Sequence, residues 1–182
     1  MKKFDVTTWK NEIRESLPNL EKIVADAKER YETARRVWRE DNYSDWGYAM
    51  YKMAERELWE MERDLKRSKL LVQDQLYCNQ HFYTDIEAWE VIGYVSEKCL
   101  IIREMKAELR PDAKQRLHDS FVPGGFCGHF DNDLQEWQIV PDPEGQVIRV
   151  RLHKDGNYHA AGDKGTRFIL SDEPRKYYDY NF

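Results

Sequence analysis

The sequence predicts an α+β protein, with a long antiparallel helical hairpin at the N-terminus followed by a small antiparallel β barrel or bent sheet. Three observations predict it. Apolar residues recur every three or four positions through the first half. Through the second half they alternate in short runs, separated by turn residues about every ten positions. The 182 residues are 41% hydrophobic and 13% aromatic, enough for a folded core although 35% are charged.

Between Asn19 and Asp41 there is no Gly or Pro. There Leu20, Ile23/Val24, Ala27, Tyr31, Ala34 and Val37/Trp38 share one helical face. Pro18 predicts a break between this helix and a short one near Thr8–Ser16, capped by Thr7 or Thr8. The turn Asp41–Asp45 leads into a second helix, capped by Ser44 or Asp45 and running from about Trp46 to Cys78. Its stripe is Met50, Met53/Ala54, Leu58, Met61, Leu65, Ser68, Val72 and Leu76. Helices this long, joined by a short turn, form a hairpin. One such hairpin must dimerise, pack on the rest of the chain, or present a face to a partner.

Residues 87–95 and 98–106 read as a β-hairpin turning at Ser96-Glu97-Lys98. Residues 112–133 read as irregular, broken at Pro123-Gly124-Gly125. Glu136–Val140 and Gln146–Leu152 read as a second strand pair around Pro141-Asp142-Pro143-Glu144-Gly145. Lys154-Asp155-Gly156-Asn157 is a tight turn, and Arg167–Leu170 a last short strand. The expected division is a helical region 1–83 and a small β domain 84–182. The aromatic end, Arg175–Phe182, is expected to dock on the β core.

No apolar run approaches the roughly 18 residues a membrane helix needs, and the N-terminus has no apolar signal core. Three cysteines, Cys78, Cys99 and Cys127, cannot all pair with one another. A cytoplasmic protein without membrane contact is the expectation. The formal net charge is −5. Residues 1–83 carry 16 Lys/Arg against 16 Asp/Glu, and residues 84–182 carry 13 against 18. Bulk charge therefore gives no general attraction to nucleic acid, although a local basic patch remains open.

Catalytic constellations are weak. Cys127 with His129, or both with Cys78 and His81, would be a nucleophile pair or a zinc site, but the spacing is not that of a zinc knuckle. Asp131, Asp133 and Glu136 would suit a divalent cation, as nuclease carboxylates do. Solvated carboxylates and a glycine turn are the blander explanations. No catalytic residue, metal or cofactor is expected.

Two sets of residues are candidates for binding. No Lys or Arg occurs between Arg116 and Arg149, a gap holding Asp131, Asp133, Glu136, Asp142 and Glu144. Such an acidic loop can occupy an arginine-lined nucleic-acid channel. Arg149, Arg151, His153, Lys154, Arg175 and Lys176, with Tyr158 and Tyr177, are candidates for contact with nucleic acid. Arg35, Arg36 and Arg39, and Lys66, Arg67 and Lys69, read as solvated helix surface.

The strings Val122-Pro123-Gly124-Gly125-Phe126-Cys127-Gly128-His129, Gln135-Glu136-Trp137, Arg151-Leu152-His153-Lys154-Asp155-Gly156 and Tyr177-Tyr178-Asp179-Tyr180-Asn181-Phe182 resemble a family of small, mostly uncharacterised proteins of bacteriophages and mobile elements. The resemblance covers about residues 84–182. It implies a small β fold of the Src-homology barrel kind and a phage origin. A helical hairpin on such a module, at this length, resembles the type II-A anti-CRISPR proteins recovered from gut bacteria. That resemblance implies a non-enzymatic inhibitor of the type II CRISPR RNA-guided DNA nuclease, acting in the bacterial cytoplasm on the effector and its guide RNA. Double-stranded DNA and a second copy, joined through the hairpin, are further expected partners. The alternative is a DNA- or RNA-binding phage accessory protein. These inhibitors share no common motif, so no inhibitory residue carries over.

Overall fold

A computed structural model describes residues 4–41, 43–124, 128–163 and 165–181. The described residues form two compact units, Asp5–Asp74 and, with Phe4, the chain from Gln75 onward.

The first unit is a helical hairpin of α1 (Val6–Glu40) and α2 (Asp45–Leu71). Asp5, not a threonine, caps α1 by accepting from the Thr8 amide at 3.1 Å. Ser44 caps α2 by accepting from Gly47. The expected break at Pro18 is absent, and α1 runs through it. A proline ring crowds the preceding turn of helix, and there the Ser16 hydroxyl donates to the Ile13 carbonyl at 2.8 Å. Where the helices meet, Gly47 lets α2 approach Trp38, since a Cβ would lie 3.2 Å from the Trp38 backbone. Trp38 stacks on Tyr51 with ring centroids 5.0 Å apart.

The inward side of α2 carries Gly47, Tyr51, Ala54 and Leu58, while Met50 and Met53 are exposed. Spacings of three and four fit two neighbouring stripes on α2, and only packing against α1 selects one. Trp9 and Trp89 are buried, whereas Trp46 and Trp59 are 68% and 58% exposed.

The second unit is a closed antiparallel barrel with added elements. Its strands are β1 (Tyr77–His81), β2 (Ile86–Glu87), β3 (Trp89–Ser96), β4 (Cys99–Leu109), β5 (Trp137–Pro141), β6 (Val147–Leu152), β7 (Tyr158–Ala160) and β8 (Arg167–Ser171). The ring runs β1-β3-β4-β6-β7-β8 and closes by pairing β8 with β1, Cys78 opposite Leu170. Inward side chains alternate as a pleat requires: Cys78, Trp89, Leu100, Ile102, Val150, Tyr158, Phe168 and Leu170 are all buried.

Four expectations are corrected. The second helix stops at Leu71, and Tyr77–His81 is a barrel strand, so the chain divides at Asp74/Gln75, ahead of 83/84. The stripe at Val72 and Leu76 mimicked a helix because a short strand carries too few residues to show its period. Residues 112–133 are not all irregular: Pro111–Asp119 forms α3, with Pro111 in its first turn and Ala113 and Leu117 buried one turn apart. A 3-10 turn follows at Asn132–Leu134. Strands β5 and β6 do not pair with each other. Both lie antiparallel on one edge of β4, β5 along Met105–Leu109 and β6 along Cys99–Arg103.

The described part of the aromatic end, as far as Asn181, docks on the barrel unit as expected. Tyr177 forms a two-bond bridge with Ile86 at 2.9 Å. Carboxamides hold the rest. Gln135 donates to the Tyr178 carbonyl at 2.7 Å and accepts from its amide at 3.0 Å. Asn181 does the same for Phe130 at 3.1 and 2.7 Å. Among the described residues, no helix is long and apolar enough to cross a membrane.

Candidate nucleic-acid interface

Alternation along β6 buries Val150 and turns Arg149 and Arg151 outward. Register then places Arg151 between Cys99 on β4 and His159 on β7, with Arg149 opposite Ile101. The turn after β6 is shaped by Gly156, at φ 83°, and by Asp155, which accepts from the Asn157 amide at 3.0 Å. It folds His153 back onto His159, with ring centroids 4.7 Å apart and planes at 49°. The result is a cleft of about 530 Å³ lined by Arg149, Arg151, His153, His159 and Cys99, with Ala160, Ala161, Gly162 and Asp163 along its rim.

Arg149 and Arg151 supply the positive charge of the cleft, and Asp163 lines it as well. The Asp155 carboxylate lies 2.9 Å from His159 Nε2 and Asp163 accepts from the Gly165 and Thr166 amides, so both acids at the cleft are engaged. Among the described residues, no carboxylate pairs with Arg149, Arg151 or Lys154. Two unpaired guanidinium groups on a rigid strand offer charge-assisted bonds without first breaking an internal pair.

Burial resists ionisation of Asp155, but hydrogen bonds from His159 and Asn157 outweigh it and hold its pKa at about 2. An aspartate in an unfolded chain titrates near ~3.9, so this group contributes stability above that pH and loses it as pH falls toward the folded value. The carboxylate is half exposed, so the contribution is modest. In thermal melts from pH 5 to pH 2, the advantage of the native chain over Asp155→Asn should shrink as the pH falls toward the folded value.

The other sequence candidates are dispersed. Arg175 pairs with Glu173 at 2.6 Å. Lys176 is held by Glu87, lies 5.5 Å from the Trp137 ring centre and is withdrawn from solvent. Tyr158 is buried inside the barrel, and Tyr177 is tied to Ile86. Neither tyrosine, nor Arg175 nor Lys176, lines the cleft. His159 was missed in the sequence, because only the β6–β7 register places it opposite Arg151 on the same sheet face.

The acidic loop is not a free cluster. Glu136 is bound by Arg110 at 3.4 Å and by Arg116 at 2.5 Å. Asp131 caps the 3-10 turn, and Asp142 accepts from the Glu144 amide at 3.0 Å. Only Asp133 and Glu144 keep side chains without a described partner.

Cys78 and His81 are three residues apart on β1, and Cys78 is fully buried. A strand sends such residues to opposite faces, so they do not share a metal. Burial pushes the Cys78 thiol up and the His81 imidazole down, the latter aided by Arg167 and Arg175. Gly125, Phe126 and Cys127 lie outside the described residues, and with them the Cys127–His129 pairing considered in the sequence. Gly128 has a packing reason instead: its φ is +76°, and a Cβ there would meet the Phe121 ring at 2.5 Å. Among the described residues, no group of three or more His, Cys, Asp or Glu side chains is placed to hold a metal ion.

The hairpin has a separate surface. Val37, Trp46 and Met50 are exposed along a groove of about 560 Å³ that includes Asp26 and Glu29. Compared with known proteins, the chain matches no family model, no curated protein and no solved structure.

Proposed function

We propose that this chain is a non-enzymatic, phage-type inhibitor of the type II CRISPR RNA-guided DNA nuclease, binding the effector with its guide RNA and blocking target-DNA engagement or cleavage. The choice of target comes from the resemblance of the sequence to type II-A anti-CRISPR proteins. The observation that supports a binding role is the cleft in which Arg149 and Arg151, without a carboxylate partner among the described residues, lie beside His153 and His159. An effector of this class carries a guide heteroduplex and a displaced single strand, both rich in phosphate. A barrel with such a cleft suits the nucleic acid, and the exposed Trp46 and Met50 flank of the hairpin suits a protein surface. That same flank would equally suit a second copy of the chain. DNA mimicry by the acidic loop is the weaker route, because Arg110 and Arg116 already neutralise Glu136.

Plasmid cleavage by purified effector and guide tests the proposal, with the protein added before or after target DNA. Inhibition only when it is added first is the expected result and indicates blocked engagement. Full cleavage at large excess would overturn the inhibitor reading. The same cleft would then favour the second reading, a DNA- or RNA-binding phage accessory protein.

A further inference from the structure

We infer that the cleft seats a single-stranded polynucleotide, with a base against the His153–His159 pair and neighbouring phosphates on Arg149 and Arg151. This rests on the nucleic-acid part of the proposed function and gives that site its ligand class.

Three observations carry it. The first is size. At about 530 Å³, the cleft belongs to the range that encloses one small-molecule-sized group, so an unpaired nucleotide enters and a duplex does not. The second is spacing. Arg149 and Arg151 are two residues apart on one strand and share its outer face, which sets their Cα atoms about 6.6–6.8 Å apart. Two cations at that separation follow successive phosphates along one strand. The third is the ring pair. Imidazoles tilted by 49° at 4.7 Å present an aromatic surface beside the guanidinium groups, and unpaired bases stack on such surfaces. At the rim, Gly162 has φ +83°, and nothing lies within 4 Å of where a Cβ would stand, so a base has room there. Stacking and phosphate contact read no base edge, so binding should tolerate sequence.

The test uses the full chain and fluorescence anisotropy with labelled dT15, U15 and a 15-base-pair duplex across a salt series. Single strands should bind more than about tenfold tighter than the duplex. Arg149→Glu/Arg151→Glu should cost more than about tenfold and lower the salt slope by about two. His153→Ala/His159→Ala should cost at least about fivefold. Ala161→Trp, which fills the cleft without changing charge, should also weaken binding, whereas a merely electrostatic surface would be indifferent to it. Circular dichroism checks that each variant is folded. Equal affinity for dT15 and U15 would support either nucleic acid as the source, and tighter U15 would point to RNA through its 2′-hydroxyl. If the duplex binds as tightly and the arginine variants still abolish binding, the cleft remains a nucleic-acid site and the single-strand inference is overturned. If the oligonucleotides bind regardless of these substitutions, the inference is overturned because binding lies elsewhere. If none binds, the nucleic-acid reading falls as well, while the inhibitor reading still rests on the cleavage assay.

Discussion

Phe168→Ala is expected to cost the barrel unit about 3–5 kcal/mol. Phe168 is 0% exposed and stands on β8, the strand that closes the ring by pairing with both β7 and β1. Its ring meets Trp89 edge-on, with centroids 5.7 Å apart. Trp89 is fixed in turn by its indole N–H, which donates to Gln80 at 3.0 Å. Truncation removes the aromatic contact, leaves a cavity, and loosens the closing strand on both sides. A small domain holds only about 5–15 kcal/mol in total. Near-UV circular dichroism should therefore show the melting transition fall by more than about 10 °C. Phe168→Leu should recover part of it. A shift of under about 2 °C for the alanine variant would show that Phe168 is not at the closure.

Gly145→Ala is the second large expected effect. Gly145 lies in the Asp142–Gln146 connection, where the chain passes over Glu104 on its way from β5 to β6. A Cβ there would stand 2.2 Å from the Glu104 carbonyl oxygen and 3.1 Å from that of Asp142. Both are backbone atoms, so no side chain can rotate away. The Glu104 amide also donates to the Gln146 carbonyl at 2.9 Å, which holds the two segments together. The crossing must open, and that costs about 1–3 kcal/mol. Because β5 and β6 share one edge of β4, the strain reaches both pairings. Hydrogen exchange at the amides of β5 and β6 should accelerate together. Acceleration confined to the 142–146 connection would mean that the crossing relaxes locally.

Local parts of both units were legible because short-range physics decides them. The hairpin of β3 and β4, the Asp155-Gly156 turn and the Ser44 cap each need only neighbours in sequence. Long-range pairing was not legible. Tyr77–His81 continued an apolar spacing inherited from α2, and its strand character comes from β8, about ninety residues away (Asn79 opposite Ile169). The proline-rich connection between β5 and β6 looked like a hairpin turn, but the long β4 offers one edge to both strands, and pairing along it satisfies more backbone groups. The site followed the same division. Alternation from Arg149 to Arg151 put both on one face. Only the β6–β7 register brought His159 beside them, and only the ion pairs showed Lys176 and Glu136 to be occupied.

The sequence by itself determined the α+β class, the two long helices, most strand positions and the outward arginines of β6, since periodicity and turn chemistry are local. The tertiary structure decided which stripe of α2 faces α1, where the barrel closes, and which charged side chains remain unpaired. Those depend on contacts between segments far apart in the chain, where packing and register override local preference.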